Sequence, residues 1–197
     1  MMGWLLLLAT VLYFVVVAVR VEWNAFRLTR SLRNLPQAEP DSPFFRAVVL
    51  AAEAANIPIP PVHILSDDEE AAFAFSNLIG GGGIGVGHKV LVTWPASAQA
   101  WAGWHEVGHI LRWDSLFEAA IHTAVLPLGV IGRALVAAYH RRAERDADRF
   151  ATAGVGLAAA VEALRLFDRE EGGRLLDLHP SPSHRLKYLL QKKWPPS

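Results

Sequence analysis

The stretch His105-Glu106-Val107-Gly108-His109 constrains this chain more than any other. Residues four apart on a helix share a face, so both imidazoles can reach one metal ion if the stretch is helical. Glu106 falls one residue round, close enough to act on a water bound to that metal. A second element must then lie against this helix and complete the ligand set. The 197 residues include no cysteine, which excludes disulfides, thiolate metal sites and cysteine nucleophiles. A metal here is held by His and carboxylate, the donors of catalytic rather than structural zinc. Lys+Arg and Asp+Glu balance at 19 each, so no bulk basic field for nucleic acid is expected.

Residues 1–19 carry no charged side chain, and Trp4 to Val17 is almost continuously apolar. About 20 helical residues cross a bilayer core, so the pattern predicts one transmembrane helix over residues 1–21, in contact with lipid. Arg20, Arg27, Arg30 and Arg33 follow this segment and none precedes it. The positive-inside rule then predicts a single-pass protein of the cell membrane, N-terminus out and the rest cytoplasmic. Residues 22–42 read as a basic juxtamembrane segment and a proline-rich linker. Residues 43–197 form the domain that carries the metal motif.

Within that domain, Ser42 and Pro43 are suited to start a helix that runs to about residue 56. Short apolar runs predict strands at Val62–Leu65, 71–78 and 86–93, with glycines 80–83 and 85 as a mobile hairpin tip between the last two. Asp67 to Glu70 reads as a solvated turn. Ala96 begins the motif helix, and residues 116–138 read as two core helices turned at Pro127. Residues 139–152 continue as a polar helix, and further helices follow over 157–171 and 183–193. The fold class is α+β, mostly helical, with a small antiparallel or mixed sheet.

A catalytic zinc wants three protein ligands and one open position. Six residues after His109, where a third histidine could stand, the chain has Ser115. Glu144 and Asp148 are four apart on one helix face. One carboxylate can bind the metal while the other accepts the free N–H of a ligand histidine. The competing reading is a solvated helix whose carboxylates pair with Arg141, Arg142, Arg145 and Arg149.

Together, HEVGHILRWD at 105–114, ERDADRFA at 144–151 and HPSPSHRL at 179–186 resemble the family of HtpX and the type I CAAX prenyl proteases. These are membrane-bound zinc endopeptidases of the gluzincin type, and the resemblance covers roughly residues 43 to 190. It implies a zincin-like catalytic domain with one zinc on His105, His109 and Glu144, and Glu106 as general base. It further implies that Asp148 orients a ligand, that His179 steadies the transition state and that Arg185 accompanies it. Peptide or protein substrates, and a part in membrane protein quality control, are what the family suggests. Larger members insert membrane spans between the two metal motifs, for which this chain is too short, so it resembles a minimal anchored core. Phe73, Ala74 and Phe75 lie on the strand expected to hold an extended substrate, provided that strand is a sheet edge. The rival reading is a zinc-binding membrane scaffold or sensor without proteolysis, in which a base at Glu106 would have no use.

Overall fold

The computed structural model describes residues 2–66, 71–77, 81–125, 128–170 and 181–191. Among these residues, eight helices and three strands follow in the order α1 (Met2–Leu32), α2 (Pro43–Ala54), β1 (Val62–Leu65), β2 (Ala72–Asn77), β3 (Gly81–Gly87), α3 (His88–Thr93), α4 (Ala96–Leu111), α5 (Asp114–Val125), α6 (Val130–Val155), α7 (Leu157–Glu170) and α8 (Pro182–Gln191). Helix dominates, with one small mixed sheet.

Helix α2 starts where its sequence dictates. Ser42 is extended and its Oγ accepts the Phe45 N–H at 3.2 Å, while Pro43 supplies a φ suited to a first turn. Phe44, Ala47, Val48, Ala51 and Ala52 form its buried stripe. This stripe packs on α4, whose Trp101, Ala102 and Val107 belong to the same core. Ile84 and Val86 of β3 and Leu164 of α7 close that core from other sides.

The sheet order is β1-β3-β2, with β1 parallel and β2 antiparallel to β3. Beyond β1, Ala38 N donates to Val62 O at 2.9 Å and Ile64 N to Pro36 O at 2.8 Å, so that margin is covered. Strand β2 forms the opposite margin. Of the glycines expected to form a hairpin tip, 81–83 and 85 are part of the central strand itself, while Gly80 lies outside the described residues; residues 88–93, expected as strand, are helix α3 with Val90 buried. Packing overrides propensity here. Phe73 and Phe75, two apart on β2, stand opposite Gly85 and Gly83 and lay their rings over them. A Cβ at Gly85 would come 2.7 Å from the Phe73 ring, and one at Gly83 would run into Phe75.

The predicted N-terminal span is corrected by the structure. Among the described residues, no helix is long and apolar enough to cross a membrane. Instead of an apolar segment that stops near residue 21, α1 runs unbroken through Arg20, Glu22, Arg27 and Arg30. It also packs on the protein body: Val17, Val21 and Leu32 are buried, and the Tyr13 hydroxyl donates to Ala124 O of α5 at 3.0 Å. The expected single-pass arrangement at the cell membrane therefore loses its basis, and with it the transmembrane part of the expected fold class.

Helices α5 and α6 bracket the turn expected at Pro127, a residue outside the described ones, as are Asp67 to Glu70. The second apolar helix and the polar helix that continues it over 139–152 are one element, for α6 is continuous from Val130 to Val155. Trp113, at φ 58° between α4 and α5, adopts a left-handed conformation that bulky residues rarely take. That residue turns the chain so that Asp114 comes back beside α4.

Candidate metal centre

Helix α4 carries His105, Glu106 and His109, and α6 crosses it with Glu144 and Asp148. The two helices approach closely at Gly108, where an added Cβ would sit 3.2 Å from the Ala147 Cα. At this crossing, one donor atom from each of His105, His109 and Glu144 lies within 4.8 Å of the others, in a largely buried group that could hold a metal ion. The Nε2 atoms of His105 and His109 are 3.1 Å apart. Each is 3.5 Å from a Glu144 oxygen, Oε2 for His105 and Oε1 for His109. Tetrahedral zinc with bonds of about 2.1 Å spaces its donors by about 3.4 Å, so these separations suit it.

The far nitrogens of both imidazoles are engaged. His105 Nδ1 meets Asp148 Oδ1 at 3.1 Å, and His109 Nδ1 meets Asp114 Oδ2 at 2.9 Å. A carboxylate at Nδ1 keeps the proton there and leaves the Nε2 lone pair directed at the cation position. The Trp101 ring stacks on His105 with centroids 5.0 Å apart and planes 25° apart, which fixes that imidazole's orientation.

Arg185 of α8 reaches the same cluster. Its Nε donates to Asp148 Oδ2 at 3.0 Å, its Nη2 bonds Asp148 Oδ1, and its Nη1 lies 2.9 Å from Glu144 Oε2. Asp148 is 0% exposed and Arg185 9%, so this is a buried pair held by bidentate geometry. On the other flank, Asp114 Oδ1 accepts the Tyr139 hydroxyl at 2.9 Å, with Arg112 Nε 3.5 Å away.

The electrostatics favour a cation. Glu106, Glu144, Asp114 and Asp148 are all buried around the two imidazoles. Burial opposes a charged imidazole, yet hydrogen bonds to Asp114 and Glu144 outweigh it and push His109 from the usual 6.5 to about 10. His105 is raised in the same way, with Asp148 and Glu144 overcoming burial. Burial pushes the Glu106 carboxyl up from the usual carboxylate range. Burial also disfavours charge on Asp148 and Asp114, but Arg185 and His105 hold the first below the usual carboxylate range and His109 holds the second there.

A cavity of about 700 Å³ opens over the cluster. His105, Glu106, His109 and Glu144 line one side, and Ala71 to Ala74 of the β2 margin line another. Of the residues expected from sequence, His105, Glu106, His109, Glu144, Asp148 and Arg185 thus come together. Phe73 and Ala74 line the cavity, whereas Phe75 is buried over Gly83. His179 lies outside the described residues. Asp114 and Tyr139 were not singled out from sequence. Asp114 stands five residues after His109, a spacing that becomes informative only once Trp113 turns the chain.

Compared with known proteins, the chain matches no family model, no curated protein and no solved structure.

Proposed function

We propose that this protein is a zinc-dependent endopeptidase, with zinc on His105, His109 and Glu144 and with Glu106 as general base. The observation that carries the reading is the set of donor separations, 3.1, 3.5 and 3.5 Å, with each imidazole anchored behind by its own carboxylate. A bound zinc would supply Lewis acidity and a water acidic enough to lose its proton near neutral pH. Glu106 lies on the cavity wall beside the ligands, where its carboxylate can take that proton and pass it to a leaving amine. Its raised affinity for protons suits both halves of the exchange. Arg185 holds Glu144 by one oxygen and balances the negative charge of the cluster. Trp101, Asp148 and Asp114 keep the imidazoles from rotating. A purely structural zinc site would gain nothing from a buried carboxylate next to the ligands or from a cavity above them, which disfavours the scaffold reading.

The test compares casein cleavage by wild type and by Glu106→Gln, with bound zinc measured in both. Cleavage by the wild type alone, at equal zinc content, is the expected result. Equal cleavage by both removes Glu106 from the mechanism, and zinc-loaded wild type that leaves casein intact removes the peptidase reading.

A further inference from the structure

The outer margin of β2 is partly closed by a side chain from another element. The Ser76 backbone N–H donates to Ser115 Oγ at 2.7 Å. The geometry of the β2–β3 pair shows which groups remain. Gly87 N donates to Ala71 O at 2.8 Å, and the antiparallel register pairs Phe73 with Gly85 and Phe75 with Gly83. Backbone groups alternate sides along a strand, so the odd-numbered residues of β2 bond β3. Ala72, Ala74 and Ser76 turn their N–H and C=O groups outward. Ser115 takes the N–H of Ser76, while Ala72 and Ala74 lie along the cavity that holds Glu106 and the metal-ligand group. The other margin of the sheet is already covered by residues 36–38.

We infer that Ser115 is a specificity-determining residue: its hydroxyl takes the outward N–H of Ser76, so an extended substrate finds both outward backbone groups of a residue open only at Ala72 and Ala74. This rests on the peptidase reading and adds to it a substrate class. The site takes a short extended segment recognised through its peptide groups, with little demand on side chains. The outward backbone groups of Ala72 and Ala74 offer up to two hydrogen bonds each. Past Ser76, the one further described residue of β2 is Asn77, which pairs with Gly81 of β3. Ser115 stands six residues after His109, the spacing of a third ligand histidine, and instead it controls how much of the strand is available.

The experiment uses the full zinc-loaded chain and a casein-derived peptide that it cleaves. Backbone N-methylation is scanned along that peptide one position at a time. Strand pairing predicts losses in kcat/KM of roughly two- to tenfold at alternate positions and little change between them. In a length series, Ser115→Gly frees the Ser76 N–H, so the length at which kcat/KM stops rising should increase by about two residues, one further step of strand alternation. Ser115→Thr, which keeps the hydroxyl, should retain the wild-type length dependence. N-methylation without alternation, or an unchanged length dependence in zinc-loaded Ser115→Gly, overturns the inference and leaves the peptidase reading standing. Casein untouched by zinc-loaded wild type overturns that reading, and this inference with it.

Discussion

The two imidazoles of the candidate metal centre have the same chemistry and different supports. His105 is backed by Asp148, which is locked by Arg185 from α8, and its ring is sandwiched against Trp101. His109 is backed by Asp114, which answers to the Tyr139 hydroxyl and to Arg112, a side chain one-third exposed. The first support joins residues 80 apart in the chain and exists only when α8 has docked. The second lies five residues from its histidine and depends on one turn. A metal site of this kind is therefore half a consequence of the global fold and half a local motif.

That contrast can be broken from its stronger side first. Arg185→Met should leave Asp148 and Glu144 as uncompensated buried charges and cost about 3–5 kcal/mol, read as a lower urea midpoint of the metal-free protein. Asp148→Asn keeps the shape but weakens the hold on the His105 proton, and zinc affinity should fall by about 10–100-fold in a competitive chelator titration. Asp114→Asn should weaken zinc by about tenfold, the lower end of the same range, because water can reach the His109 flank and replace part of the lost bond. Equal losses for Asp114→Asn and Asp148→Asn would erase the distinction between the two supports.

The smallest signal is a proton count. His105 and His109 are raised, the latter to about 10, so near pH 7.5 the metal-free cluster holds protons that zinc must displace. Zinc uptake should release about one proton or more, measured calorimetrically in buffers of different ionisation enthalpy. The sign of the linkage follows. A raised His109 stabilises the metal-free fold fully below 6.5, and that stability is lost as pH rises through about 10. The Tm gained on adding zinc should therefore be larger at pH 8.5 than at pH 6.5.

Much of the centre was legible in the sequence because helical spacing is a short-range rule. His105 and His109, then Glu144 and Asp148, are each four apart, and each pair faces one way as soon as its helix forms. Arg185 entered through resemblance, and its ion pair with Asp148 bears no local signature. Asp114 was in plain view five residues after His109. A helix continued through residue 113 would aim it elsewhere, and only the left-handed Trp113 brings it back. The sheet was misread where tertiary contact overrode composition: glycines 81–83, 85 and 87 lack any strand propensity of their own, and the valines at 90 and 92 mimic a strand while folding as α3. The N-terminal segment was misread because the arginines from residue 20 on were taken to flank a span, whereas α1 continues through them and buries one stripe on the protein body.

The rings of Phe73 and Phe75 over Gly85 and Gly83 mean that the sheet keeps its bulk on one strand and its room on the next. Volume at these positions is a shared property of two residues, so either can change only with consent of the other. A larger residue at 83 should be tolerated only beside a smaller one at 75, and likewise for 85 and 73. In descendants of this sequence, those two pairs should therefore drift together, leaving a correlated trace of the strand contact even where neither residue is preserved.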